Sequence, residues 1–314
     1  MIFTVTPSPS LDLLMEMQQT PSLGKTLRAV KEELRPGGKG INISIMLKHL
    51  GKTSTALGFV AGFSGDELMR LTMAEGIQTG FIRVRRGRTR INLRLKAQGA
   101  LACDEMRING LGPTVTADDI SYLVRKVSSL SQGDCLVLAG AVPPSLPQDI
   151  YATFFKALEN KGVDVIVDAP PELLQAVLRY HPFLVKTNLT EWQNFLGRDL
   201  SKLDALVEAA QQLRQGGALN VLISMGASGA VFVPLDGQAM VINAPGGVAT
   251  DRTGAGDSMV AGFIAQYAST HDVHSAALMA VAAGSATALG QGIASATEVQ
   301  TLFEELKQTY ALEA

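Results

Sequence analysis

The apolar positions of this chain fall into two textures. Over the C-terminal two thirds, short apolar runs recur at Leu136-Val137-Leu138-Ala139, Val163 to Val167, Phe183-Leu184-Val185 and Val221-Leu222-Ile223. Runs without alternation suit strands buried on both faces, as in a parallel sheet. Between them lie segments with apolar residues three and four apart, such as Leu206, Ala209, Ala210 and Leu213, which predict helices. Alternating strands and helices imply right-handed crossovers and an open, doubly wound, mostly parallel α/β sheet flanked by helices. Met1-Ile2-Phe3-Thr4-Val5 reads as a further short strand.

The N-terminal third is different. Ile91, Leu93 and Leu95 alternate with Asn92, Arg94 and Lys96, the period of a strand with one wet face. A second extended region spans Arg28 to Leu34. These two segments are expected to pair into a small sheet apart from the main one, serving as a lid or as a dimer interface. In the main sheet each strand leads into something chemical: Gly140, Asp168, Lys186-Thr187-Asn188, and Ser224-Met225-Gly226. Ligands of open α/β sheets bind beyond the carboxyl ends of the strands, so these tips are expected to line one site.

A length of 314 residues suits one large α/β domain or two ordinary ones. A net charge of -2 offers no global field for nucleic acid or anionic membrane. Arg83, Arg85, Arg86, Arg88, Arg90 and Arg94 form a local basic cluster, read mostly as a solvated strand face. Two cysteines, Cys103 and Cys135, and scattered histidines build neither a zinc site nor a disulfide framework, and His271 and His274 read as surface residues. The start lacks a basic leader, and the weakly polar stretch Ala276 to Ala294 reads as a buried small-residue helix with its exit rather than a membrane span. A cytoplasmic location is the expectation.

Two glycine clusters carry the chemistry. Asp251-Arg252-Thr253-Gly254-Ala255-Gly256-Asp257 precedes an apolar run at helical spacing, Met259, Val260, Phe263 and Ile264. Glycines at a helix start let backbone N–H groups and the positive end of the helix dipole converge on one anion. A carboxylate beside such a nest repels a resting phosphate but is placed to take a proton from an incoming hydroxyl. By itself the motif also fits an ordinary turn with an acidic first helical residue. The second cluster, Gly37-Gly38-Lys39-Gly40-Ile41-Asn42, opens a helix through Leu50. Its glycines permit close backbone approach to a ligand, and Asn42 offers a donor and an acceptor to a sugar hydroxyl. Asp12, after the first strand, is a second acceptor for hydroxyls.

Familiar nucleotide patterns fail. Gly24-Lys25-Thr26 and Gly51-Lys52-Thr53 lack the earlier glycine of a P-loop, those positions holding Gln19 and Met46. Gly254-x-Gly256 is followed by Met259 where a dinucleotide fingerprint needs its third glycine. No Gly-x-Ser-x-Gly elbow is present.

Taken together, the Gly37–Asn42 and Thr253–Asp257 motifs resemble those of the PfkB (ribokinase-like) carbohydrate kinases, from Ile2 to about Phe303. The likeness is greatest to the 1-phosphofructokinase branch. It is carried also by Met1 to Thr6, Ala56 to Val60, Thr89-Arg90-Ile91-Asn92, Ile108-Asn109-Gly110 with Gly112-Pro113, and Gly284 to Ala288. The resemblance implies one kinase domain over 1–314, with a β-sheet lid from about 12–35 and 85–110 and a homodimer joined through it. It implies transfer of phosphate from ATP to a ketohexose phosphate. Asp257 would be the base, with Gly254, Ala255 and Gly256 in the anion hole. Lys186, Asn188, Ser224, Gly226, Gly229 and Thr253 would face ATP. Asn188 and Glu191 match an Asn-x-x-Glu motif that organises Mg²⁺, through water. Asp12, Gly38, Lys39, Asn42 and Arg90 would face the sugar, with Arg28 and Lys25 as further candidates to clamp its phosphate.

The chain departs from the family pattern at Ser8, Leu27, Ala141, Thr187 and Thr253. Most of these changes fall near the sugar. The 6-phosphofructokinase of the same family, tagatose-6-phosphate kinase and a non-catalytic sugar-phosphate sensor are the alternative readings.

Overall fold

The computed structural model describes residues 1–22, 24, 26–97 and 105–311, so Lys25 and Cys103 lie outside the described residues. The first third comprises β1 (Ile2–Thr6), β2 (Ser10–Met17), β3 (Ala29–Gly37), α1 (Lys39–His49), β4 (Ser54–Val60) and α2 (Gly62–Ala74). Short strands β5 (Gln78–Thr79) and β6 (Ile82–Arg83) follow, then β7 (Arg90–Ala97) and β8 (Met106–Ile108). Next come α3 (Ala117–Ser128), β9 (Cys135–Ala139), α4 (Ile150–Ala157), β10 (Asp164–Asp168), α5 (Pro171–Val177), β11 (Leu184–Asn188) and α6 (Leu189–Leu196). The chain ends with α7 (Leu203–Gln215), β12 (Asn220–Ser224), β13 (Ala230–Val233), β14 (Met240–Ile242), α8 (Ala255–Thr270), α9 (Val273–Leu289) and α10 (Ala296–Ala311).

The main sheet runs in the order β14-β13-β12-β11-β10-β9-β1-β4-β5, with β6 also on β4. It is parallel from β12 to β5, and β13 and β14 add an antiparallel edge. The apolar runs behave as their lack of alternation requires. In β9, Leu136 and Leu138 pack under α3 to α7, while Val137 and Ala139 pack under α1, α8 and α9. Helices therefore cover both faces of the sheet, and the predicted doubly wound architecture is what the chain adopts. None of the described helices is long and apolar enough to cross a membrane.

A second sheet stands apart, in the order β3-β2-β7-β8. The two extended segments predicted around Arg28–Leu34 and Ile91–Leu95 both lie in it, but they do not pair with each other. Strand β2 runs between them, antiparallel to β3 and parallel to β7. Its sequence, Ser-Leu-Asp-Leu-Leu-Met-Glu-Met, has no clean period of two, so its place is set by its neighbours rather than by its pattern. Register puts Arg35, Asp12 and Asn92 in one row and Leu34, Leu13, Leu93 and Ile108 in the adjacent row, on opposite faces. The polar face looks into the cleft against the main sheet.

The core under the site centres on α8. Phe263 is fully buried, its ring 5.9 Å from Phe232 and 6.4 Å from Phe183 between centroids. Phe263→Ala is expected to cost about 3–5 kcal/mol in urea unfolding, and a loss under about 1 kcal/mol would contradict this packing.

Candidate active site

Helix α8 begins at Gly254, whose φ of 80° is a left-handed conformation that favours glycine. No side chain caps this end. Within the loop the Thr253 N–H donates to Asp251 Oδ1 at 2.9 Å and the Ala255 N–H to Arg252 O at 3.3 Å. The amides of Gly254, Gly256 and Asp257 have no acceptor among the described residues. Of the three amides expected in an anion hole, that of Ala255 is thus spent on the turn itself, as is the neighbouring Thr253 amide.

Asp257 sits on the first turn of α8 and is 6% exposed. Its Oδ2 accepts from Asn42 Nδ2 at 2.8 Å, so Asn42 holds the carboxylate in place. Burial pushes the Asp257 carboxyl up to about 6, and repulsion from Asp168 adds to this. Lys39, the Asn42 bond and Lys186 pull the other way. A carboxyl poised near neutrality suits a general base.

Asp168, at the end of β10, is the residue that ties the floor together. Its Oδ1 is 3.0 Å from Lys39 Nζ and 3.6 Å from Lys186 Nζ, and its Oδ2 has no partner among the described residues. Burial opposes its charge, but Lys186 and Lys39 outweigh burial and hold it below the usual carboxylate range. The same pairing keeps the Lys39 ammonium charged despite burial. Lys186 reaches the α8 terminus: a Cβ on Gly256 would stand 2.5 Å from its Nζ, so any side chain there would collide with the ammonium.

Two cavities flank this terminus. One, of about 220 Å³, is lined by Ser224, Gly226 and Gly229 on one wall, by Ala255, Gly256 and Arg252, and by Gly284, Ser285 and Ala288 of α9. Its small apolar walls fit a flat base. The other, of about 330 Å³, lies under the small sheet and is lined by Asp12, Asn42, Arg35, Arg94, Asp251 and Thr253 among others. Asp12 Oδ1 accepts from Ser10 Oγ at 2.7 Å and from Asn92 Nδ2 at 2.9 Å. Arg90 stands near Asp12, and its Nε is buried with no partner among the described residues. Burial lowers its pKa, a strain that a bound anion would relieve.

The pfkB family of carbohydrate kinases, matched as "pfkB family carbohydrate kinase", covers residues 8–300. The chain belongs to the pfkB family. It is 36% identical to the 1-phosphofructokinase of Bacillus subtilis over 98% of this chain and 99% of that one. It is 33% identical to the D-tagatose-1-phosphate kinase of Bacillus licheniformis, over 99% of this chain and all 100% of that one. Among solved structures, Escherichia coli phosphofructokinase-2 in complex with substrates and products superposes with a TM-score of 0.90 at 28% identity, covering 98% of this chain and 99% of that one. The chain is accordingly a phosphotransferase with an alcohol acceptor.

In this pfkB chain the structure gathers most of the residues singled out from sequence. Asp257, Gly254, Ala255, Gly256, Lys39, Asn42 and Lys186 converge, and Ser224, Gly226 and Gly229 face the cleft beside them. Asn188 caps α6, its Oδ1 accepting from the Glu191 N–H at 2.9 Å, which fixes where the exposed Glu191 stands. Arg28 is not brought to the site. It is exposed just before β3, and the register places it seven residues along that strand from Arg35, which pairs with Asp12, roughly 20 Å at about 3.3 Å per residue. Arg35 and Arg94 line the cleft without having been assigned to it from sequence, Asp251 stood in the glycine motif without a role of its own, and Asp168 was expected there only as one of the strand tips.

Asp257 must be ionised to accept a proton. With its carboxyl near 6, kcat/KM is expected to fall about ten-fold per pH unit below that value. Asp168→Asn removes a repulsion and frees two lysines, so the acid limb of the pH profile should move down. A limb that stays or rises contradicts the coupling.

Proposed function

We propose that the chain phosphorylates a ketohexose phosphate, and that the substrate is fructose 1-phosphate: with ATP it yields fructose 1,6-bisphosphate and ADP, as a 1-phosphofructokinase in the cytoplasm. The observation that carries the reading is a buried carboxylate, Asp257, held by Asn42 at a helix N-terminus whose amides lack acceptors among the described residues. The Bacillus subtilis relative supports the choice of substrate, and the Bacillus licheniformis relative favours tagatose 1-phosphate as the second reading.

The acceptor hydroxyl sits beside Asp257, which takes its proton as the oxygen attacks the γ-phosphorus. The bond from γ-phosphorus to the β,γ-bridging oxygen breaks, and ADP leaves with that electron pair. The charge on the phosphoryl in flight meets the amides of Gly254, Gly256 and Asp257 and the Lys186 ammonium. Asp12 and Asn92 hold sugar hydroxyls, and Arg90 takes the phosphate the substrate already carries. The small sheet acts as a lid that keeps water from ATP. Mg²⁺, when bound, neutralises the triphosphate. Asn188 and the exposed Glu191 carboxylate that it positions would hold it, through water.

The lid also supports a homodimer. Its outer face carries Leu34 and Ile108, 38% and 50% exposed, in line with Leu13 and Leu93. An apolar row of this kind on a solvent face suits a second copy of the chain.

The decisive assay is kcat/KM in parallel for fructose 1-phosphate, fructose 6-phosphate, tagatose 1-phosphate and tagatose 6-phosphate. The highest value is expected for fructose 1-phosphate, and binding without turnover of any of them would favour a sensor. Asp257→Asn should lower kcat by about 10²–10⁴-fold while ATP still binds, and near-normal kcat would remove Asp257 as the base. Ile108→Glu should convert a dimer to monomers in sedimentation velocity, with an unchanged sedimentation coefficient counting against the lid-to-lid contact.

A further inference from the structure

One hydroxyl closes the outer edge of the main sheet. Strand β14 is the last on that side, and no strand among the described residues lies beyond it. An edge of this kind leaves backbone N–H and C=O groups without a ladder partner. Tyr310, near the end of α10, takes the partner's place. Its Oη donates to Val241 O at 2.8 Å and accepts from the Asn243 N–H at 2.9 Å. One residue of a further parallel strand would make the same two bonds.

The hydroxyl is more than packing requires. Val299, Phe303 and Leu306 are buried along one face of α10, and Tyr310 continues that stripe at helical spacing. A phenylalanine would fill the same place in the stripe and leave the edge open.

What the edge carries is a wall of the 220 Å³ cavity beside α8. Ile242, between the two bonded residues, is fully buried, and its carbonyl lies against Gly229. A Cβ on Gly229 would stand 1.9 Å from that oxygen and 2.6 Å from Ala244 N. Ala244, Pro245, Gly247 and Ala249 then line the cavity along with Gly229. Residues 244–249 make no backbone hydrogen bond among the described residues, so the span is tied at its ends. Asn243 is held by Tyr310 at one end. At the other, the Thr250 N–H donates to Ala288 O at 2.9 Å and its Oγ1 to Leu289 O at 3.0 Å.

We propose that Tyr310 is a positioning residue for the nucleotide: through the β14 edge it fixes the 243–249 span as a wall against which the base rests. This deepens the kinase reading above and rests on it for the nucleotide itself. Tyr310 touches neither the phosphates nor the sugar phosphate, so its effect is confined to the base end of the cavity. The rival role for the same hydroxyl is to seat α10 on the sheet, with no bearing on the cavity.

The test is Tyr310→Phe, which keeps the ring in its stripe and removes only the hydroxyl. The KM for ATP should rise about five-fold, with kcat and the sugar-phosphate KM each within about two-fold of the wild type. Calorimetry without sugar should show the same loss for ATP and ADP, because the span meets the base. Inhibition by tripolyphosphate, which has no base, should be unchanged. Val299→Ala, a truncation on the same stripe, should lower the melting temperature more than Tyr310→Phe and leave ADP affinity within about two-fold. Unchanged nucleotide affinity in Tyr310→Phe overturns the proposal. An equal loss in Val299→Ala also overturns it, and assigns the effect to the seating of α10. Weakened inhibition by tripolyphosphate counts against it too, by moving the effect to the phosphates. Should the wild type turn over no ketose phosphate, the substrate reading fails by itself, and the ADP comparison still decides. A wild type that binds no adenine nucleotide overturns the assignment of the cavity and the role given to Tyr310.

Discussion

The hydrogen bond from Asn42 to Asp257, 2.8 Å long, joins two helix starts that lie 215 positions apart in the chain. It pins the first turn of α1 against the first turn of α8, and the site is built around those two turns. From α1 comes Lys39, and from α8 come Asp257 and the amides that have no acceptor among the described residues. A buried carboxylate with no partner would be costly and free to rotate. With Asn42 on one oxygen, the carboxylate is held in one orientation. The arrangement also explains why neither glycine cluster is informative alone. Each is an ordinary helix start until the other supplies what it lacks.

Charge balance in the floor of the site follows from the same geometry. Two carboxylates, Asp168 and Asp257, share a buried space with two lysines, but they do not share them equally. Asp168 lies against both ammoniums, and its charge is secured. Asp257 receives an amide instead of an ammonium, and the secured charge of Asp168 works against its own. The two acids are driven apart in proton affinity by position alone, Asp168 downward and Asp257 upward. The lysines in turn are held beside the α1 and α8 starts.

Much of this was legible from residue patterns, for local reasons. The strands of the main sheet are buried on both faces, so their unbroken apolar runs name them, and β9 to β12 appear where those runs lie. The α8 and α1 starts were legible because glycine, acid and amide fall within a few residues of one another. The small sheet was only half legible. Leu, Met and Glu in β2 satisfy helix and strand equally, and nothing in its sequence says that it must run between β3 and β7. The arginines of the 83–94 stretch show the same limit. Arg83, Arg85, Arg86 and Arg88 are exposed, as a solvated face predicts, while Arg90 and Arg94 turn into the cleft. Composition treats all six alike, and only the register separates them.

The sequence by itself therefore determined the architecture of the main sheet, the two helix termini and the acid that follows the second. These are short-range matters: periodicity, backbone freedom at glycine, and the charge next to a helix end. Which partner each charged group meets was decided by the fold. Asp168 could not be known to lie between Lys39 and Lys186, nor Asp251 to face Arg94, because each pair joins segments distant in the chain, and ionic contacts carry no periodic trace along it. Hydrophobic burial sets the scaffold from local pattern, whereas electrostatic roles depend on distances of a few ångströms that exist only once the chain has closed.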